Sequence, residues 1–195
     1  MPTPSPLETG CYYHIFNRGN NGEDVFREER NYEYFLKLYA HHILPVAETY
    51  AFCLLKNHFH LAIRVREDTK DEQTKDKLPP ASRAFSNFFN AYARAINKEY
   101  ARTGSLFENP FHRIKIQTDS YFSAVVLYIH RNPQKHRFLD DFRDWKWSSY
   151  HAHLSDRPTK LERERVLGWF NGRDQFVADH LNAKRDGILE EQDFL

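Results

Sequence analysis

The chain has 195 residues and a mass of 23.3 kDa, with 41% hydrophobic and 15% aromatic residues, enough for one domain to bury a core and too apolar for wholesale disorder. No run approaches the roughly 20 apolar residues of a membrane span; the opening MPTPSPLETG has neither a basic start nor an apolar stretch, and Cys11 and Cys53 form no close pair, so a reduced, cytoplasmic protein is expected. The net charge of +1 is unevenly placed: between Ala81 and Arg137 nine Lys and Arg face three acidic residues, a window of +6 that suits either a localised polyanion site or a solvated helix face.

In chain order, CYYHIFN at Cys11 to Asn17 is aromatic and β-branched and ends at RGNNG, which predicts a strand and a turn. From Glu28 to Val46, Tyr32, Phe35, Leu36, Tyr39 and Ile43 recur at helical spacing. YAFCLL at Tyr50 to Leu55 and HFHLAIRV at His58 to Val65 read as a hairpin turning at Lys56 and Asn57. The polar tract from Glu67 to Leu78 reads as a mobile connection. Phe85, Phe88, Phe89, Tyr92 and Ile96 then stripe a helix from Ala81 to Arg102, stopped by Gly104. RIKIQ at Arg113 to Gln117 alternates as a strand whose wet, basic face can meet DNA. Asp119 or Ser120 caps a further helix that is expected to end at Asn132 and Pro133. Past Trp145 the pattern is helical, over Ser148 to Leu154 and Leu161 to Asn182. The order predicts an α+β fold: a ferredoxin-like antiparallel sheet with helices packed on one face over residues 10–150, and a helical C-terminal extension over 151–195.

Two side chains in this series have the makings of a metal site. Alternation along a strand projects His58 and His60 from one face and sends Phe59 to the other, so the two imidazoles can grip one divalent ion. The same spacing also describes a surface strand with two satisfied histidines. Of the eleven tyrosines, Tyr13 has Asn17 four residues on but within a predicted strand, which leaves Tyr128 with Asn132 a helical turn on, whose amide oxygen suits Mg²⁺ or Mn²⁺. Spacing alone favours a buried core tyrosine followed by a C-terminal Asn preceding Pro.

NHFHLAI at Asn57 to Ile63, YIHRNPQKH at Tyr128 to His136 and WKWSSY at Trp145 to Tyr150 together resemble the HUH single-tyrosine transposase superfamily, and within it the REP-associated tyrosine transposases. FNRGNNGEDVF and RTGSLFENPFHRIKI extend the resemblance, which runs from about Tyr12 to Tyr150. It implies metal binding by His58, His60 and Asn132, with Asn132 standing where the related insertion-sequence enzymes commonly carry a longer Gln. It also implies a nucleophilic Tyr128 and a hairpin-forming single-stranded DNA substrate. Since a free phenol has a pKa of about 10, a divalent ion that neutralises developing charge would assist attack, giving a 5′-phosphotyrosine without any nucleotide cofactor. Candidate phosphate contacts are Arg18, Lys56, Arg94, Lys98, Arg102, Arg113, Lys115, Arg131 and Lys135. Three rival readings stay open: a replication initiator or relaxase, a domesticated nucleic-acid-binding protein without activity, and a metal hydrolase that uses water. The oligomeric state is left between monomer and homodimer.

Overall fold

The computed structural model describes residues 6–67 and 78–182. Four strands, β1 (Tyr12–Arg18), β2 (Ala47–Leu54), β3 (His58–Val65) and β4 (His112–Ile116), form one sheet in the order β2-β3-β1-β4, with every neighbouring pair antiparallel. Helices α1 (Glu29–His42) and α2 (Ala81–Glu99) connect β1 to β2 and β3 to β4, which completes the expected ferredoxin-like α+β layout. Then follow α3 (Asp119–Lys135), α4 (Tyr150–Leu154), α5 (Arg163–Trp169) and α6 (Arg173–Leu181). No helix among the described residues is long and apolar enough to cross a membrane.

The strands alternate between two buried clusters, so both faces of the sheet are covered. Tyr13 and Ile15 of β1 and Phe59, Leu61 and Ile63 of β3 pack with Phe35 of α1 and Phe85, Phe88 and Tyr92 of α2. Phe16, Tyr50, Ala62 and Ile116, which point the other way, pack with Phe122, Val125 and Ile129 of α3 and with Val166, Phe170 and Phe176. Helices on one face is thus right for α1 and α2, whereas α3 and the C-terminal helices cover the second face. The reason is visible in the strands, where apolar residues on both alternating sets require a second layer. The polar tract at 67–78 lies outside the described residues over 68–77.

Helix ends differ from expectation for identifiable reasons. α1 stops at His42 because Pro45 follows, and a proline offers no N–H and excludes helical geometry from the residue before it. α2 stops at Glu99 because Ala101 turns left-handed (φ 49°) and the Arg102 N–H donates back to the Asn97 carbonyl, three residues ahead of the glycine expected to end it. α3 is capped by Thr118, whose hydroxyl accepts from the Tyr121 N–H, and it runs through Pro133 to Lys135. Its stop is Arg137, at φ 58°, with Phe138 N–H donating to the Pro133 carbonyl and Arg137 N–H to that of Gln134. The expected run from Leu161 to Asn182 is two helices, broken at Asn171 and Gly172, where φ is 56° and 109°.

The C-terminal helices share the α3 cluster, and a buried polar chain ties them to it. His180 Nδ1 lies 2.7 Å from the Phe176 carbonyl and must donate to it, so its Nε2 accepts from His130 Nδ1 at 2.8 Å, and His130 Nε2 accepts from the Ser149 hydroxyl at 2.7 Å. Every link is satisfied with neutral rings. Phe176, fully buried against Tyr150 and Phe170, anchors the apolar side of this seam. Phe176→Ala is expected to lower unfolding free energy by about 3–5 kcal/mol, measured by urea titration.

Burial pushes His153 down to about 4 and His180 to about 3, and His130 well below the ordinary histidine range. In the unfolded chain these rings protonate near pH 6.5, so the unfolded state binds more protons between there and the folded values. Their contribution to stability is therefore complete above about pH 6.5 and is lost as pH falls through that window, at up to about 1.4 kcal/mol per pH unit for each ring. Melting temperatures should hold level above neutrality and decline from pH 6.5 to pH 5, with a shallower decline in His153→Leu.

Candidate active site on the α3 face

The β1–β3 register sets Arg18 opposite His58, Phe16 opposite His60 and His14 opposite Ala62, while β4 sets His112 opposite Phe16. Four histidines (His14, His58, His60 and His112) therefore emerge on the face that α3 crosses, and Phe59 goes to the opposite cluster as the alternation predicts. α3 presents Tyr128 and Asn132 one turn apart toward this face. The Tyr128 ring stands edge-on to His60, with centroids 5.3 Å apart at 86°, and the Asn132 Oδ1 lies 2.9 Å from His58 Nε2. A cavity of about 430 Å³ opens between them, lined by His58, His60, Tyr128, His136, Arg18 and Phe138, among others. The Lys135 ammonium sits 4.8 Å over the Tyr128 ring.

His58 is held between two amides, with Nδ1 at 2.7 Å from Asn57 Oδ1 and Nε2 at 2.9 Å from Asn132 Oδ1. A neutral imidazole has one N–H and cannot donate to both. Asn132 is fully buried, and its Nδ2 has no hydrogen-bond partner among the described residues. Whichever way that amide is turned, one polar end meets His58 and the other is left unsatisfied, which costs about 1–3 kcal/mol. A cation fits this conflict, because it takes lone pairs from both the imidazole and the amide oxygen. Among the described residues no group of three or more His, Cys, Asp or Glu is placed to hold a metal ion, so a site at His58 and His60 would call on the Asn132 amide.

His60 is buried, and burial, with the neighbouring histidines and Lys135 adding to it, pushes its pKa well below the ordinary value, which keeps it neutral as a ligand must be. Its Nδ1 is 3.0 Å from Nε2 of His14. His14, His112, His136 and Glu108 were not singled out from sequence. For His136 the signal was present, since it lies one further turn along α3 from Asn132, and its ring comes to 4.9 Å from that of His58. For His14 there was none without the strand register.

The candidate DNA-binding cations divide between the faces. Arg18 is exposed at the cavity and paired with Glu108 at 2.5 Å, Lys135 lies over the Tyr128 ring, Lys56 is exposed in the β2–β3 turn and Arg131 is half-buried on α3. Arg113 and Lys115 alternate to the other face of β4, where Arg113 lies 4.0 Å over the Phe111 ring and Lys115 pairs with Glu8 at 2.9 Å. That places the basic face of β4 away from the histidines. Arg94 and Lys98 are exposed on α2, and Arg102 is bound to Glu23 and Asn97, all beyond the opposite side of the sheet.

No protein-family model matches the chain. A Haemophilus influenzae protein named provisionally as a REP-associated tyrosine transposase is 27% identical over 106 residues, 53% of this chain and 59% of that protein, so the match spans somewhat over half the relative's length. A solved structure described as a REP-associated tyrosine transposase bound to a REP hairpin superposes with a TM-score of 0.58 at 16% identity, over 81% of this chain and 88% of that one, and shows the same fold. Both likenesses are to the group whose motifs the sequence resembles.

Proposed function

We propose that the chain is a DNA strand-transfer enzyme of the REP-associated tyrosine transposase type, in which Tyr128 attacks a phosphodiester of single-stranded, hairpin-forming DNA. The observation that carries this reading is that one helix sets Tyr128 against His60, in a cavity that Arg18 also lines, and Asn132 against His58 one turn on. The relative's name and the hairpin in the similar structure support DNA of this kind as the substrate.

His58, His60 and Asn132 would hold Mg²⁺ or Mn²⁺, which, when bound, polarises the scissile phosphate and neutralises charge developing on it. Tyr128 Oη forms a bond to phosphorus as the bond to the 3′-oxygen breaks. The phenol releases its proton and the departing oxygen gains one, leaving a 5′-phosphotyrosine and a free 3′-hydroxyl. The ester energy is kept, so the same hydroxyl or another can reverse the step. No nucleotide cofactor is called for.

The test is incubation of the protein with an end-labelled single-stranded hairpin and Mn²⁺, followed by a denaturing gel. A protein-linked DNA band is expected. Hairpin binding that survives EDTA with no such band would favour a non-catalytic DNA-binding protein instead.

Arg18, Lys135, Lys56 and Arg131 are the cations best placed for phosphate contact at this cavity. Three such contacts predict a slope of log affinity against log salt of about −2 on single strands, and Arg18→Gln should make it shallower by about 0.7. Fluorescence anisotropy from 50 to 200 mM salt, at about these bounds, reads the difference.

A further inference from the structure

His14 is fully buried at the centre of β1, on the sheet face that α3 covers. Its Nε2 lies 3.0 Å from His60 Nδ1, and the two rings are within 26° of parallel. Both rings are buried, where an unpaired charge is costly, so both are neutral. Two neutral imidazoles joined by one hydrogen bond share a single proton between the facing nitrogens, which allows two arrangements. In the first, His60 Nδ1–H donates to His14 and His60 keeps a lone pair on Nε2. In the second, His14 donates, and His60 carries its proton on Nε2, where it has nothing to offer a cation.

We propose that His14 is a positioning residue that accepts from His60 Nδ1–H and so holds His60 in the tautomer whose Nε2 lone pair serves the cavity. The proposal rests on the reading of His60 as a cation ligand. A metal-binding histidine ordinarily donates its second N–H to a fixed acceptor, which orients the ring and raises its basicity. At this place in the sheet the neighbouring backbone groups are committed to strand pairing, with Phe16 opposite His60 on one side and Cys53 on the other. The acceptor must therefore be a side chain, and the nitrogen that His60 turns toward the sheet interior meets His14. A neutral acceptor also adds no charge to a buried site, where an unpaired carboxylate would be costly.

The experiment is a long-range ¹⁵N–¹H spectrum of the histidine rings in the metal-free, full-length protein at pH 7.5, with His60 assigned by its loss in His60→Gln. The expected result is a pyrrole-type Nδ1 and a pyridine-type Nε2 for His60 in the wild-type protein. His14→Phe, which fills the space without an acceptor, should mix or invert the pattern, and His14→Gln, whose amide oxygen reaches near the place of Nε2, should restore it. In parallel, Mn²⁺ affinity read by electron paramagnetic resonance without DNA should fall about 10- to 100-fold in His14→Phe and recover most of that loss in His14→Gln. A wild-type His60 protonated on Nε2 overturns the proposal whether or not the variants fold. So does a folded His14→Phe that binds Mn²⁺ like the wild type. A wild-type protein that shows the expected tautomer but binds no Mn²⁺ would refute the cation site and leave the pairing of His14 with His60 standing.

Discussion

Tyr128→Phe is expected to abolish covalent capture of single-stranded DNA, lowering the rate of adduct formation by at least about 10³-fold, the scale of losing an essential nucleophile. The substitution removes one oxygen and keeps the ring that packs beside Val125 and Ile129 in the α3 cluster, so the fold should remain intact. Hairpin affinity should stay within about twofold, because phosphate contacts dominate binding. The denaturing gel separates the outcomes cleanly. A covalent band of wild-type intensity would assign the nucleophile to another side chain, whereas loss of the band with continued cleavage would point to water activated at His58 and His60.

His58→Ala should have the second-largest effect. If a cation supplies several kcal/mol of charge stabilisation, losing it lowers cleavage by about 10²–10⁴-fold, and EDTA should reproduce the loss in the wild-type protein. His58 is the better probe of the pair, since it is only half-buried, while His60 is buried beside His14. Calorimetric Mn²⁺ titration checks the cause. Binding should be weakened in His58→Ala with the melting temperature little changed. Undiminished Mn²⁺ binding in that variant would remove His58 from the ligand set.

Much of this geometry could be read from residue order. Alternation at the start of HFHLAIRV placed both imidazoles on one face, and the run yielded β3 with its observed ends, His58 and Val65. The four-residue step from Tyr128 to Asn132 placed both on one side of a helix, and the structure brings that side to the histidines. Long-range register was not readable, because nothing local to CYYHIFN says that His14 will meet His60 across two strands. Helix stops were misread wherever a non-glycine residue took the left-handed turn, as Ala101 and Arg137 do. Charge was the weakest guide. A basic window is a one-dimensional tally, and the sheet splits it, sending Arg113 and Lys115 of β4 to one side and Arg131 and Lys135 of α3 to the other.

α3 has two working sides. Tyr128 and Asn132 look toward the sheet, and His130 between them is fastened behind to Ser149 and His180. The backing of the helix that carries the proposed nucleophile thus comes from α6 and from the residue that precedes α4. Clipping the protein after α4 would not trim an ornament; it would strip the rear brace from the very rod that carries Tyr128, and slack at α6 would be felt as wobble at the phenol oxygen proposed to react.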